Sequence, residues 1–219
     1  MKTPLSPLEV ADCMQLGTVA TTLIKLRHNQ PLNSIITTSC NPGEGKTSVA
    51  IQLARAAATV AQLRVVIIDF NPINPVLAPL FKISSTPGFS EYLDGLATAQ
   101  EVIKPSAYAG LDISPYGNTR GSLLSRYDPP QLKEKIAALR TLNGDGYDLI
   151  VVDGPSSFRE PDLTLIAPIF DAIILVIECE RTRWEVVRYY QKTLQDGKAN
   201  LIGTVLNKRK YYIPRGLYL

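Results

Sequence analysis

Four short stretches of the chain are predominantly apolar: Val65-Val-Ile-Ile68, Tyr147-Asp-Leu-Ile-Val-Val-Asp153, Ala172-Ile-Ile-Leu-Val-Ile177 and Leu201-Ile-Gly-Thr-Val-Leu-Asn207. Runs of this kind, without strict alternation, suit strands covered on both faces, as in parallel sheets. Residues 34–38 and Leu111-Asp-Ile-Ser114 predict two further strands. The spacing between these runs is helical. Over residues 8–27, Leu8, Val19, Leu23 and Leu26 share one broad face. From Lys46 to about Gln62 the chain is alanine-rich, with Val49, Leu53, Ala57 and Val60 on one stripe. Further helices are predicted over about 130–142, 160–168 and 182–195; in the last, Trp184, Val187, Tyr190 and Leu194 read as core. The alternation predicts an α/β fold, a doubly wound, mostly parallel sheet with helices on both faces. The middle, roughly 70–130, is irregular and rich in Pro, Gly and Ser, and predicts short helices and surface loops. No repeat, low-complexity tract or interdomain linker interrupts the pattern. The expected organisation is an N-terminal helical segment (1–30), one α/β domain (31–207) and a basic, tyrosine-containing tail (208–219).

Composition adds little to this picture. At 219 residues, with 45% hydrophobic and 20% charged positions, the chain suits one soluble domain. A net charge of +3 is too small to argue for nucleic acid. Lys208, Arg209, Lys210 and Arg215 crowd the C-terminal end beside Tyr211, Tyr212 and Tyr218. A solvated basic tail and a contact with an acidic partner or the inner membrane face both stay open. The three cysteines, Cys13, Cys40 and Cys179, are widely separated and form no metal-type pair. With no secretory pattern at the start of the chain, a reducing cytoplasm is expected. No apolar run approaches the roughly 18 residues that a membrane span needs. His28 stands alone, which argues against histidine-based metal or triad chemistry.

The chemistry concentrates in Ser39-Cys-Asn-Pro-Gly-Glu-Gly-Lys-Thr47, between the first predicted strand and an alanine-rich helix. Small residues there let backbone N–H groups turn inward around phosphate oxygens. This is the context of a P-loop, with Lys46 reaching the β/γ-phosphates and the Thr47 hydroxyl on Mg²⁺. Asn41, Gly43, Glu44, Gly45 and Ser48 complete the candidate nucleotide-binding set, and Cys40 stands where the pattern usually has its first glycine. Asp69 and Asp153 each end an apolar strand, where ligands of such sheets bind. One carboxylate can hold the metal and the other orient or deprotonate a nucleophile. The bland alternative for a strand-end Asp is a helix cap or turn residue.

These segments resemble the bacterial tyrosine kinases, the capsular and exopolysaccharide autokinases, over about residues 20–215. The loop is similar to their Pro-Gly-Glu-Gly-Lys-Ser/Thr. Val65–Asp69 resembles their second Walker segment, and Tyr147–Pro155 their Walker B segment. Gly203-Thr-Val-Leu-Asn207 resembles the last core strand, whose Asn meets the adenine edge in related ATPases. The resemblance implies ATP and Mg²⁺ as cofactors, catalytic roles for Lys46, Asp69 and Asp153, and metal binding by Thr47, Asp69 and Asp153. It implies phosphoryl transfer to tyrosine or ATP hydrolysis, with Tyr211, Tyr212 and Tyr218 as candidate phosphoacceptors. It also implies a membrane polysaccharide co-polymerase, chain-length regulator or export protein as partner, reached from the cytoplasm at the inner membrane face; a homo-oligomer stays open.

Departures shape the expectation. The family's Asp-x-Asp-x-Arg is Asp69-Phe-Asn71-Pro-Ile73 here, so an amide and an aliphatic residue replace a carboxylate and a guanidinium. Walker B continues Asp153-Gly-Pro155-Ser156 and lacks its second proline. The family's Glu-x-x-Arg-x-x-Arg assembly helix is matched neither by Glu9, Asp12 and Gln15 nor by Thr21, Ile24 and Arg27. A second reading follows, a degenerate kinase serving as a nucleotide-sensing scaffold. A third is a partitioning or division-site ATPase, but Asn41 occupies the position of that family's early loop lysine.

Overall fold

The computed structural model describes residues 16–29, 32–119, 127–142, 146–156 and 163–209. Helix α1 (Leu16–Asn29) precedes β1 (Ser34–Ser39), α2 (Lys46–Thr59) and β2 (Val65–Asp69). Three short helices follow, α3 (Leu77–Phe81), α4 (Phe89–Leu93) and α5 (Ala99–Val102), then β3 (Lys104–Pro105) and β4 (Leu111–Ser114). The second half runs α6 (Pro129–Arg140), β5 (Leu149–Ser156), α7 (Leu163–Ile166), a 3-10 turn, β6 (Ala172–Glu178), α8 (Trp184–Asp196) and β7 (Leu201–Asn207).

The seven strands form one sheet in the order β3-β4-β2-β5-β1-β6-β7, parallel except for β3 on β4. Every residue of β1, β2 and β5 is buried. Successive strand side chains point to opposite faces, so the apolar runs divide between two layers. Ile36, Val66, Ile68, Ile150 and Val152 join the layer that includes Leu132, Phe170 and Tyr190. Ile35, Val65, Ile67, Leu149 and Val151 join the layer under α1 and α2. This is the doubly wound α/β architecture expected from the sequence.

Helix α2 lies against the sheet and under α1, and every residue from Val49 to Ala58 is buried. Its alanines keep that two-sided packing close. Gln52 and Arg55 are buried with it, and the Arg55 guanidinium stacks 4.3 Å from the Tyr108 ring centre. Leu23 of α1 is buried in the same layer, and Arg27 donates to the carbonyls of Leu32 and Asp148, tying α1 to the sheet. Helix α6 starts as its sequence dictates. Asp128 accepts from the Gln131 N–H, Gln131 accepts from the Asp128 N–H, and Pro129 opens the first turn.

Three expectations change. Val60 ends α2 exposed rather than on its buried stripe. The helix expected over 160–168 is a four-residue helix and a 3-10 turn in its described part, since Pro168 interrupts it. Trp184 is 64% exposed while Val187 packs partly buried against the core and Tyr190 and Leu194 are buried, because the start of α8 stands off the core. Residues 8–15 of the first expected helix, Cys13, and the tail residues Lys210, Tyr211, Tyr212, Arg215 and Tyr218 lie outside the described residues. No helix among the described residues is long and apolar enough to cross a membrane.

The β1–β5 pairing carries an irregularity between Thr37 and Ser39, opposite Asp153 to Ser156. There a Cβ on Gly154 would lie 2.8 Å from both Ile36 Cδ1 and the Thr37 carbonyl oxygen. Gly154→Ala is expected to destabilise the protein by about 1–3 kcal/mol through overpacking, read as a lower denaturation midpoint at unchanged m-value.

Candidate functional site

The loop after β1 owes its shape to two glycines. Gly43 and Gly45 have φ of 83° and 91°, a conformation that costs other residues a Cβ clash. Gly45 is the left-handed entry to α2, and neither a side-chain cap nor an acidic residue covers the helix's first turn. An uncapped helix start with its N–H groups facing the loop is an anion site.

Lys46 and Thr47 open the helix, and Ser48 follows them. The Thr47 hydroxyl donates to Asp153 Oδ2 at 2.6 Å. Asp153 is fully buried, and its Oδ1 has no hydrogen-bond partner among the described residues. A buried carboxylate oxygen left open beside a hydroxyl and a lysine fits a small divalent cation, whose hard oxygen ligands these are. Asp69 pairs in register with Asp153 on the neighbouring strand. Its oxygens are largely committed: Oδ1 accepts from the Asn71 N–H at 3.2 Å, and Oδ2 from Val76 and Leu77 at 2.8 and 3.0 Å. Asp69 therefore holds the β2–α3 loop and caps the start of α3, and Asp153 is the carboxylate that presents an open oxygen. The metal role expected of Asp69 stays a proposal beside this structural one.

Burial pushes Asp69 up to about 7, helped by the charge of Asp153 and opposed by its three backbone donors. Burial likewise pushes Asp153 up to about 6, opposed by Lys46 and by the Thr47 hydrogen bond. The pair thus takes one negative charge before two.

Other loop residues depart from expectation. Glu44 is 1% exposed, and its carboxylate turns into the protein. It accepts from the Asn41 N–H at 3.1 Å, from Asn41 Nδ2 at 3.0 Å and from the Thr182 hydroxyl. The Glu44 carboxylate is thus engaged within the protein, by both the side chain and the backbone N–H of Asn41 and by Thr182. Asn207 Nδ2 donates to the Glu44 carbonyl at 2.9 Å, which ties this amide to the loop. Burial and the nearby Glu44 push the Cys40 thiol up to about 12, so Cys40 is a small apolar filler. Sequence reasoning missed Thr182 and the loop contact of Lys208. Only the need of a buried Glu44 for donors pointed to such partners.

Beside the loop lies a small open cleft of about 90 Å³, lined by Pro42, Gly43, Lys46, Asn71, Ile73, Asn74, Pro155 and Ser156. Three residues that depart from the kinase pattern, Asn71, Ile73 and Ser156, thus stand in its wall. Asn71 Oδ1 accepts from the Asn74 N–H, and Ile73 is exposed.

Over 200 residues, 25% are identical to the tyrosine-protein kinase YwqD of Bacillus subtilis, covering 90% of this chain and 81% of that protein. Identity to the Escherichia coli tyrosine-protein kinase Etk is 27%, over 80% of this chain and only 23% of Etk's length. The crystal structure of the VpsO kinase domain superposes with a TM-score of 0.78 at 31% identity, covering 93% of this chain and 96% of that one. The chain belongs to the bacterial tyrosine kinase family. No family model matches it. The septum site-determining protein MinD of Pyrococcus horikoshii, solved with Mg-ADP, shares the fold at a TM-score of 0.65 and 21% identity.

In this family member the two strand-end carboxyls make stability depend on pH. Their folded-state values lie above the ordinary carboxylate value, so between about pH 4 and 7 this pair holds more protons in the nucleotide-free folded protein than in the unfolded chain. The pair's contribution to stability is therefore greatest at the acid end of that window and falls as pH rises through it. Asp153→Asn is expected to flatten the decline and to stabilise the nucleotide-free protein at pH 8 by about 1–3 kcal/mol. Thermal melts of both proteins from pH 5 to 8 without divalent cations check this.

Proposed function

We propose that the protein binds ATP with Mg²⁺ in the loop–cleft site and transfers the γ-phosphoryl group to tyrosine. The buried, open Asp153 Oδ1 beside the Thr47 hydroxyl, at an uncapped helix start, is the observation that carries this reading. The loop N–H groups and Lys46 bind and orient the phosphates. Thr47 and Asp153 would hold Mg²⁺, which when bound supplies charge neutralisation at the transferring phosphate. Asp69 keeps the β2–α3 loop against the cleft and sets the charge around Asp153. Such catalysis is positioning plus electrostatics, which this set of residues can supply. Tyr211, Tyr212 and Tyr218 are proposed as phosphoacceptors. Following the kinase relatives, a membrane polysaccharide co-polymerase or export protein is proposed as partner, at the cytoplasmic membrane face.

Asn71 and Ile73 favour a second reading, in which nucleotide binding is retained and turnover is weak. An amide and an aliphatic side chain in the cleft wall neither accept a proton usefully nor stabilise developing negative charge as a guanidinium does. The protein then acts as a nucleotide-sensing scaffold for its partner.

Purified protein incubated with Mg-ATP, with and without a partner's cytoplasmic segment, is expected to yield phosphotyrosine and released phosphate. Tight ATP binding with no turnover under either condition favours the scaffold. Lys46→Ala is expected to weaken ATP at least tenfold by calorimetric titration, and unchanged affinity would remove the nucleotide reading altogether. Asn71→Asp with Ile73→Arg should raise phosphotyrosine yield if those two positions limit turnover.

A further inference from the structure

Two consecutive residues at the end of the last strand grip two consecutive carbonyls of the phosphate loop. Asn207 Nδ2 donates to the Glu44 carbonyl at 2.9 Å, and Lys208 Nζ donates to the Gly43 carbonyl at 2.5 Å. In a trans peptide the C=O and the following N–H point in opposite directions. Holding the Gly43 carbonyl toward Lys208 therefore turns the Glu44 N–H the other way. Holding the Glu44 carbonyl toward Asn207 does the same for the Gly45 N–H. Between left-handed Gly43 and Gly45, these are the donors that make a concave anion nest.

The grip is itself built. Lys208 takes a left-handed backbone, φ 57°, which is uncommon for a residue with a long side chain. Its ammonium is steadied by Glu178 Oε2 at 3.1 Å, and Glu178 in turn pairs with Arg181 at 3.0 Å. The Asn207 carbonyl accepts from the Cys179 N–H at 2.9 Å. A Cβ on Gly45 would lie 2.1 Å from Asn207 Nδ2, so the glycine is also what lets the amide reach the loop.

We propose that Asn207 and Lys208 are positioning residues for nucleotide binding, a clamp that fixes the loop's peptide planes before phosphate arrives. The proposal rests on the nucleotide reading of the loop. It makes Lys208 act through the loop backbone, not by touching phosphate. The charged donor is worth about five- to tenfold in affinity when removed.

Calorimetric titration of the full chain with Mg-ATP and Mg-ADP tests it, using wild type, Lys208→Met, Lys208→Arg and Asn207→Ala. Lys208→Met and Asn207→Ala are expected to weaken ATP and ADP alike, and Lys208→Arg to recover most of the loss. Lys208 is partly exposed, so the melting temperature of nucleotide-free Lys208→Met should match wild type. Amide exchange at Glu44 and Gly45 should be faster in that variant. A loss confined to ATP would make Lys208 a direct γ-phosphate contact and overturn the clamp. So would unchanged affinity in Lys208→Met while Lys46→Ala loses binding. Unchanged affinity in Lys46→Ala itself would instead remove the nucleotide reading, and the clamp with it.

Discussion

The hydrogen bond from Thr47 to Asp153 is the contact on which the site depends. It joins the first turn of α2 to the C-terminal half of β5, at 2.6 Å, across a point where no solvent reaches the carboxylate. A buried carboxylate with no donor is costly, so β5 cannot carry Asp there unless something meets it. The hydroxyl that meets it sits on a helix whose own start is uncapped. The same bond thus pins the anion-binding end of α2 to the sheet and leaves one oxygen of Asp153 open. Gly154 makes the meeting geometrically possible, because β1 passes too close for a side chain there.

Around that bond the fold holds an electrostatic imbalance. Two aspartates side by side on adjacent strands, both fully buried, resist ionising together. Three backbone N–H groups steady Asp69 but do nothing for the open oxygen of Asp153. A cation bound there would relieve repulsion and desolvation at once, and the fold would gain stability only when loaded. Strain of this kind at a site is a common trade of stability for function.

The sheet was legible because its strands are apolar runs with no alternation, and such runs have no other home in a chain of this size. The loop was legible because Gly43 and Gly45 serve a backbone geometry that other residues resist. What the sequence hid was the direction of polar side chains. Glu44 stands inside a phosphate loop yet points into the protein, since Thr182, 138 positions away, supplies its hydroxyl. Asp69 looks like a ligand, but whether its oxygens are free depends on the path of residues 70–77, which no local pattern dictates. Trp184 shares a helical stripe with Tyr190 and Leu194. Periodicity alone does not tell which turns of a helix reach the sheet.

The loop's internal ties also explain how it keeps its shape with Asn41 where related ATPases carry a lysine. A lysine there brings charge but one that flexes on a long stem. Asn41 instead gives the Glu44 carboxylate two donors, its own amide and its backbone N–H, and Thr182 adds a third. That triad fixes the loop from the protein side, while Asn207 and Lys208 fix the carbonyls of Glu44 and Gly43. Backbone groups held from two sides need little rearrangement to receive phosphate, and a smaller ordering cost leaves more of the interaction as affinity. The departures at Asn71 and Ile73 touch none of these ties. Under the proposed reading, changes at those two positions can weaken turnover while the loop that receives phosphate keeps its shape.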